Sequence, residues 1–262
     1  MSFNSKKQLA QFLAEDIGKG DITSALLDKK RITATIISRE DAILAGVQYT
    51  KEIFKIKGCS VKILKKDGAK IKSNQTIMSI TGDAGKILTC ERTALNLLTR
   101  MSGIATQTNQ IVKKIPSKTK IYATRKTAPG LRYFDKEAVE IGGGKKHRLR
   151  LDEMVMIKDN HIAIEDSLLS LIKKAKKKYR KFEVEVENTQ DAILAAKEGA
   201  TIIMLDNFTP AQIKKTIQTL KDQKLRNNVL LEASGGINSK NIGKYGQTGV
   251  DIISVGSITN SV

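Results

Sequence analysis

The sequence predicts an α/β protein in which an incomplete α/β barrel follows a smaller α+β region. After Pro116, short runs rich in Ile and Val alternate with stretches of helical periodicity, as in parallel strands covered by helices. Six such units occupy about 140 residues, which is fewer than the eight units of a complete barrel. The preceding part of the chain shows a strand-like pattern instead. A doubly wound parallel sheet is the structural alternative for the second part.

The N-terminal region predicts the small α+β domain. Apolar residues between positions 9 and 17 recur at helical spacing, so the chain opens with a short amphipathic helix. Apolar and polar residues alternate over 32–36, as in a half-buried strand. The same patterns predict a helix at 49–54 and further strands at 61–63, around 71 and at 77–80.

A long helix at 85–115 joins this region to the barrel. We place the domain boundary inside that helix. The division gives an N-terminal α+β domain of residues 1–98 and an α/β-barrel domain of residues 99–262.

The barrel domain contains six predicted strands, which are rich in Ile and Val and too short for helices. They span residues 121–123, 154–157, 182–186, 202–205, 229–231 and 252–255. Helices are predicted at 134–141, 164–180, 191–198, 211–222 and 240–245. Thr209 followed by Pro210 predicts a capped helix start, and Asn238 or Ser239 is the expected cap of the last helix.

The composition excludes several classes of protein. Lys and Arg outnumber Asp and Glu by 46 to 27, and the net charge of +19 favours anionic ligands. Lys-rich solvated helices explain much of that excess equally well. Two isolated Cys and two His fit neither a disulfide framework nor a zinc site. Because the sequence lacks a signal peptide and any apolar run of roughly 18 residues, we expect a soluble, cytoplasmic protein without a membrane partner.

Cationic residues cluster after the first two predicted strands. Arg125 and Lys126 follow the first strand, Lys158 follows the second, and His147 and Arg148 lie between them. The active sites of barrel enzymes lie at the C-terminal ends of the strands. Cations there suit carboxylates or phosphates, and Arg can engage both oxygens of such a group. The sequence therefore predicts an enzyme that acts on a strongly anionic small molecule.

Acidic and glycine-rich residues follow the other strands. Glu187 and Asp206 supply the oxygen ligands that Mg²⁺ prefers, or charges that stabilise a positive transition state. Salt bridges with lysines at the barrel rim are the alternative. The loops at 234–236 and 256–257 expose backbone N–H groups, which suit a phosphate. Because no strand–Gly–helix unit of the G-x-G-x-x-G type is present, no nucleotide cofactor is expected.

Long motifs distributed along the chain resemble those of the quinolinate phosphoribosyltransferases. In the barrel domain they are TRKTAPG at 124–130, GGGxxHR at 142–148, IKDNH at 157–161, EVEN at 185–188, MLDN at 204–207, LEASGGI at 231–237 and ISVG at 253–256. Upstream they are EDIGKGDIT at 15–23, ERTALN at 91–96 and SGIAT at 102–106. The resemblance covers nearly the whole chain, in order.

This resemblance implies a fold and a reaction. The fold is an incomplete TIM-like α/β barrel preceded by an α+β domain, and the assembly is a homodimer with a shared active site. The reaction joins quinolinate and phosphoribosyl pyrophosphate, with Mg²⁺, to give nicotinate mononucleotide, pyrophosphate and CO₂ for de novo NAD biosynthesis. The implied partners are these two small molecules, without nucleic acid.

The resemblance also implies roles for individual residues. Arg92 would reach into the partner's site, and the catalytic residues would be Lys126, Lys158, Glu187 and Asp206. The residues that bind the quinolinate side would be Thr124, Arg125, Lys126, His147, Arg148 and Lys158. Glu187 and Asp206 would lie beside the ribose and the Mg²⁺–pyrophosphate. The 5′-phosphate cradle would comprise Ser234, Gly235, Gly236, Ser254, Val255, Gly256 and Ser257.

Two features depart from the family pattern. Asn260 stands where the family usually has His, which affects one phosphate or pyrophosphate contact. The sequence stops at Val262, where relatives usually continue into a further strand. We expect a missing strand to expose a sheet edge at that point.

Three other functions fit parts of the sequence less well. A paralogue associated with molybdenum uptake shares the architecture, but the intact motifs at 124–126, 147–148 and 158–161 favour the biosynthetic enzyme. A nicotinate-using phosphoribosyltransferase would need fewer cations, because its substrate has one carboxylate rather than two. A basic nucleic-acid-binding protein would need a recognition motif or an aromatic stacking platform, and the sequence shows neither.

Overall fold

The structure is a computed structural model that describes residues 4–260. The described chain divides into two compact units. The first comprises residues 4–109 and 133–143, and the second comprises residues 110–132 and 144–260. The expected sheet edge at Val262 lies outside the described residues. No helix in the described part of the chain is long and apolar enough to cross a membrane.

The first unit combines helices with short antiparallel strands, as predicted. Its elements are α1 (Ser5–Ile17), β1 (Arg31–Ile37), β2 (Ala42–Ile43), α2 (Val47–Ile56), β3 (Ser60–Ile63), β4 (Lys70–Ile71), β5 (Thr76–Asp83), α3 (Ala84–Val112, whose last turn belongs to the second unit) and α4 (Arg132–Ile141), with a 3₁₀ turn at Ser24–Leu26. One sheet has the order β1-β5-β3, and β2 pairs with β4. All of these pairings are antiparallel.

Helix α4 packs within the first unit although it follows the first barrel strand in sequence. Phe134 is fully buried, and its ring meets that of Tyr49 edge-on at a centroid distance of 5.0 Å. Asp135 is also fully buried and accepts two hydrogen bonds from Arg100, at 2.8 and 2.9 Å. Two parallel charge-assisted bonds of this kind fix the orientation of both side chains. They therefore join α4 to α3.

The second unit contains a seven-stranded parallel sheet. Its strands are β6 (Lys120–Ala123), β7 (Lys145–Lys146), β8 (Val155–Ile157), β9 (Phe182–Val186), β10 (Ile202–Asp206), β11 (Leu230–Ser234) and β12 (Ile252–Val255). They follow one another in the order β7-β6-β12-β11-β10-β9-β8. This is the order of a closed barrel cut between β7 and β8, not the reversal of a doubly wound sheet. The predicted incomplete barrel is confirmed.

The helices of this unit agree with the sequence pattern in most places. They are α5 (Asp159–Glu165), α6 (Leu168–Lys178), α7 (Thr189–Glu198), α8 (Pro210–Asp222), α9 (Ile242–Gly246) and α10 (Ser257–Asn260), with a 3₁₀ turn at Arg226–Asn228. The predicted cap of α8 is confirmed, because the Thr209 hydroxyl accepts a bond from the Gln212 N–H and Pro210 is the first helical residue.

Three sequence-based predictions need correction. The single helix predicted at 164–180 is two helices, because Asp166 adopts a φ of 55° and Ser167 caps a new helix at the Ser170 N–H. Helix α9 begins only at Ile242, after Asn241, whereas the Asn238 side chain accepts a bond from the Lys240 N–H at 2.9 Å, so the predicted cap at Asn238 caps the turn that precedes the helix. Strand β7 was not predicted, because its two residues are lysines and show no apolar run.

Candidate active site

The candidate site lies inside the barrel, where the inner face of the sheet is polar. Side chains of a strand alternate between its faces, and in β9 the apolar residues occupy one face while Glu183 and Glu185 occupy the other. Strand register places Met204 beside both Glu185 and Glu232. Barrel interiors are normally filled by branched apolar side chains. Carboxylates in these positions therefore indicate a binding or catalytic interior.

Three cationic side chains, those of Arg125, Arg148 and Lys158, follow β6, β7 and β8 at this end of the sheet. Arg125 follows β6, and its buried Nε has no hydrogen-bond partner among the described residues. Arg148 follows β7 and donates to the Met154 carbonyl at 2.9 Å. Burial lowers the pKa of Arg148, and the charge of Arg125 adds to that effect. These two guanidinium groups repel each other, and the charge of Glu183 only partly offsets that effect on Arg148, so the pair forms a site for an anionic ligand.

Lys158 supplies a further cation beside a carboxylate. It precedes α5, and its backbone N–H donates to His161 Nδ1 at 3.0 Å, which fixes the start of that helix. Its Nζ donates to Glu185 Oε2. The Lys158 side chain is 37% exposed, so the ammonium group is accessible to a ligand while it is paired with Glu185.

A buried group of three side chains lies in the same interior. His147 Nε2 is 3.0 Å from Glu183 Oε2, and the Ser254 hydroxyl donates to Glu232 Oε1 at 2.5 Å. Both carboxyl groups are fully buried. Burial raises the pKa of Glu183 to about 7, against the opposing charges of Arg148 and Lys158. Burial and the charge of Glu183 raise the pKa of Glu232 to about 8.

An acid pair follows β9 and β10. Val186 is paired with Leu205, so the next residues, Glu187 and Asp206, lie at adjacent strand ends. Glu187 is exposed and Asp206 is partly buried. Asn207 donates from its side-chain amide to Asp206 Oδ2 at 2.7 Å, which orients the carboxylate. The two acids form an accessible set of hard oxygen donors.

Two loops, at the ends of β11 and β12, present backbone N–H groups at this end of the sheet. Gly235 and Gly236 have φ values of 90° and 60°, which favour glycine. The Asn207 N–H donates to the Ser234 carbonyl at 3.0 Å, so this loop is held against the end of β10. After β12, Gly256 leads directly into α10. Such glycine-rich turns allow an anion to approach the backbone closely.

Comparison with known proteins identifies the family. A profile described as "Quinolinate phosphoribosyl transferase, C-terminal domain" matches residues 104–262. The corresponding N-terminal domain profile matches residues 21–102. The chain belongs to the quinolinate phosphoribosyl transferase family.

Individual relatives agree with this assignment over nearly the full chain. A "Probable nicotinate-nucleotide pyrophosphorylase [carboxylating]" of Methanothermobacter thermautotrophicus is 43% identical, over 97% of this chain and 94% of that protein. A protein of the same name from Archaeoglobus fulgidus is also 43% identical, over 92% and 94%. A nicotinate-nucleotide pyrophosphorylase structure from Ehrlichia chaffeensis matches with a TM-score of 0.93 and 35% identity, over 100% of this chain and 96% of that one.

The structure brings together most of the residues predicted for a quinolinate phosphoribosyl transferase site. All of the following lie in the second unit, in or directly after the parallel strands or in the segment between β7 and β8: Thr124, Arg125, Lys126, His147, Arg148, Lys158, Glu187, Asp206, Ser234, Gly235, Gly236, Ser254, Val255, Gly256 and Ser257. Lys126 is exposed. Ser254 is buried on β12 and bonds to Glu232, so its side chain contacts the inner acids. Arg92 lies on α3, in the first unit.

Three interior acids of this quinolinate phosphoribosyl transferase fold were missed by sequence reasoning, namely Glu183, Glu185 and Glu232. They lie within strands, whereas most of the predicted site residues follow strands. The sequence does contain a signal, because Glu alternates with Val at 183–187 in a strand predicted to be buried. An acid at every second position of such a strand indicates a polar inner face.

Proposed function

We propose that the protein transfers the phosphoribosyl group of phosphoribosyl pyrophosphate to quinolinate with loss of CO₂, giving nicotinate mononucleotide and pyrophosphate in NAD biosynthesis. The observation that carries this proposal is the convergence of Arg125, Arg148, His147 and Lys158 at one end of the parallel sheet. Such a group of cations matches the two carboxylates of quinolinate. We place the reaction in the cytoplasm, where both metabolites are soluble.

The cations have a definite task in this reaction. Both substrates are anionic and repel each other, so bringing them together is electrostatically unfavourable. The buried Nε of Arg125 offers a donor that the described residues leave unsatisfied, and an unsatisfied buried donor gains most when a ligand accepts from it. Lys126 and Lys158 add charge at the accessible side. The protein thereby holds the ring nitrogen of quinolinate next to the ribose carbon that it attacks.

The acid pair suits the phosphoribosyl side of the reaction. Asp206 and Glu187 offer accessible carboxylate oxygens at adjacent strand ends, and Mg²⁺ prefers such ligands together with substrate phosphates. We expect these two residues to hold the ion directly or through water. When bound, Mg²⁺ would neutralise charge on the pyrophosphate leaving group. The same carboxylates would stabilise positive charge on the ribose carbon as pyrophosphate departs.

The two glycine-rich loops suit the 5′-phosphate. We expect Ser234, Gly235 and Gly236 to offer backbone and hydroxyl donors from one strand end, and Gly256 and Ser257 to offer them from the next, because the Ser254 hydroxyl donates to Glu232 instead. Thr259 donates to the Lys126 carbonyl at 2.8 Å, so the second loop is tied to the cation-bearing segment after β6. Phosphate and carboxylate subsites are thereby held at a fixed separation.

The order of bond changes follows from the substrates. The ring nitrogen of quinolinate forms a bond to the ribose carbon as the bond to pyrophosphate breaks, which leaves a pyridinium ring. Loss of the adjacent carboxylate as CO₂ then places an electron pair on the ring carbon next to that positive nitrogen. A proton completes the product. The protein contributes orientation and charge compensation to these steps.

The direct test is an assay of the purified protein with Mg²⁺, phosphoribosyl pyrophosphate and either quinolinate or nicotinate. We expect quinolinate to be consumed with equal amounts of CO₂ and nicotinate mononucleotide, because the site carries cations for two carboxylates. The measurement is chromatographic quantification of the nucleotide together with release of labelled CO₂. Activity with nicotinate and none with quinolinate would sink the proposal.

We further propose that the active enzyme is a homodimer in which Arg92 of one subunit serves the site of the other. Arg92→Ala and Lys158→Ala subunits should each be nearly inactive alone. When the two are mixed and allowed to exchange, one site of each heterodimer contains both intact residues, so about a quarter to a half of wild-type activity should return. The measurement is turnover before and after exchange. Mass-tagged subunits verify that exchange has occurred. If activity does not recover after verified exchange, a shared site is excluded.

A further inference from the structure

His147, Glu183 and Glu232 form a buried group whose burial and unpaired carboxylate oxygens are not explained by substrate binding alone. The His147 side chain is 7% exposed, and both carboxyl groups are fully buried. Glu183 Oε1 and Glu232 Oε2 are buried and have no hydrogen-bond partner among the described residues. Ligand atoms of all three residues lie within 4.8 Å of one another.

Other charged and titratable groups near this group lie on or directly after β6, β7, β8 and β9. They are Tyr122 on β6, Arg148 after β7, Lys158 after β8 and Glu185 on β9. Lys158 is already paired with Glu185. The ring of Tyr122 lies 5.7 Å from that of His147, and burial raises the pKa of its hydroxyl. His147 Nε2 contacts the Glu183 carboxyl group at 3.0 Å, and the charges of Arg148 and Lys158 also oppose the rise in the pKa of Glu183.

Two buried carboxylates at this separation cannot both ionise without a large electrostatic cost. Glu232, with a pKa of about 8, retains a proton at neutral pH. Glu183, with a pKa of about 7, then exchanges its proton with the His147 ring through the 3.0 Å contact. If that proton lies on Nε2, the ring is an imidazolium cation with hydrogens on both nitrogens. If it lies on Glu183, the ring is neutral, accepts at Nε2 and carries its single N–H hydrogen on Nδ1. In both cases Nδ1 is an N–H donor.

We propose that Glu183 is a positioning residue that holds the His147 ring through Nε2, so that Nδ1 acts toward the anionic site as an N–H donor. This inference rests on the proposed function, in which His147 helps to bind the dicarboxylate. Once the shared proton is lost, the neutral ring carries its one N–H hydrogen on Nε2, which donates to the Glu183 carboxylate. Nδ1 then has a lone pair and no hydrogen, so it repels a carboxylate of the substrate. Binding of quinolinate is therefore linked to one proton held by the His147–Glu183 pair.

The kinetic test compares the pH dependence of KM for quinolinate in wild type, Glu183→Gln and Glu183→Met. In wild type, KM should rise by up to about tenfold per pH unit above about pH 7, because the pair loses its proton there. In both variants this rise should move to lower pH, because the His147 ring then titrates without its carboxylate partner. For Glu183→Met, KM at pH 6.5 should be about tenfold higher than in wild type, with kcat changed less than about threefold. Glu198→Gln, on α7, is the matched control and should keep the wild-type profile.

A second measurement does not depend on turnover. The sequence has only two histidines, so the His147 ring can be assigned in ¹⁵N spectra by its loss in His147→Asn. Substrate-free wild type should show a protonated Nδ1 at pH 6.5 that loses its proton over the range in which KM rises. Because the titration is followed in wild-type protein, it remains decisive even where a Glu183 variant does not fold.

Several results would overturn the proposal. These are an unprotonated Nδ1 at pH 6.5, a wild-type KM that is flat from about pH 6 to 8.5, or a wild-type profile retained in Glu183→Gln. Stoichiometric divalent metal in the wild type that is lost in Glu183→Gln would show that the group binds a cation instead. Wild type that fails to turn over quinolinate would contradict the proposed function, while the spectra would still test the His147–Glu183 pair.

Discussion

Replacing Lys158 by methionine is expected to lower kcat/KM for quinolinate by on the order of 100-fold or more. The substitution keeps the length of the side chain and removes its charge. One effect is the loss of a cation that faces the dicarboxylate. The other is that Glu185, only 11% exposed, loses its partner and becomes an uncompensated anion in the same interior. Removing one member of a partly buried charge pair typically costs 2–5 kcal/mol, roughly 30-fold to several thousand-fold in affinity.

The two effects can be separated by steady-state kinetics on a double variant. Lys158→Met combined with Glu185→Gln removes the uncompensated anion, so it should recover part of the loss if repulsion from Glu185 contributes. Lys174→Met is the matched control, because Lys174 makes a similar pair with Glu165 on the exposed surface of α6 and should leave kcat/KM close to that of wild type. If Lys158→Met were as active as Lys174→Met, the assignment of Lys158 to the substrate site would be wrong.

The architecture could be predicted because hydrophobic periodicity reports local structure directly. Runs of Ile and Val marked six of the seven barrel strands, and Thr209 with Pro210 marked the start of α8. Features set by a few backbone angles or by distant packing were not visible. The break between α5 and α6 depends on the left-handed conformation of Asp166. The position of α4 in the first unit depends on the buried contact of Asp135 with Arg100.

The site was predictable to the extent that its residues follow strands. Arg125, Lys158 and Asp206 stand at strand ends, where the barrel geometry requires functional groups to be. Glu183 and Glu232 lie inside strands flanked by apolar residues, so their neighbours suggest an ordinary core. Glu183 on β9 and Glu232 on β11 come close to each other across the barrel interior, and a linear pattern does not contain that information.

Replacing Gly235 by alanine is expected to lower both stability and activity. Gly235 has a φ of 90°, and a Cβ at this position would lie 2.2 Å from Asn207 Oδ1 and 2.7 Å from the Asn207 backbone nitrogen. The unfavourable backbone angle costs about 1–2 kcal/mol, and displacement of a packed backbone adds about 1–3 kcal/mol. We therefore expect the free energy of unfolding, measured by urea titration, to fall by about 3 kcal/mol.

Activity should fall for a connected reason. Asn207 orients the Asp206 carboxylate through a 2.7 Å hydrogen bond and also bonds through its N–H to the Ser234 carbonyl. A shift of Asn207 would therefore displace the proposed metal-binding acid and the proposed phosphate loop together, so kcat/KM for phosphoribosyl pyrophosphate should fall by at least about tenfold.

The adjacent glycine provides a matched control for the steric argument. Gly236 also has a positive φ, of 60°, but a Cβ there would meet no atom within 4 Å. Gly236→Ala should therefore show only the conformational cost, about 1 kcal/mol. Equal losses of stability in the two variants would mean that contact with Asn207 is not what restricts position 235. A larger loss in Gly235→Ala would instead tie the phosphate loop to Asp206 through Asn207, because the added methyl group would meet Asn207, whose side chain holds the Asp206 carboxylate.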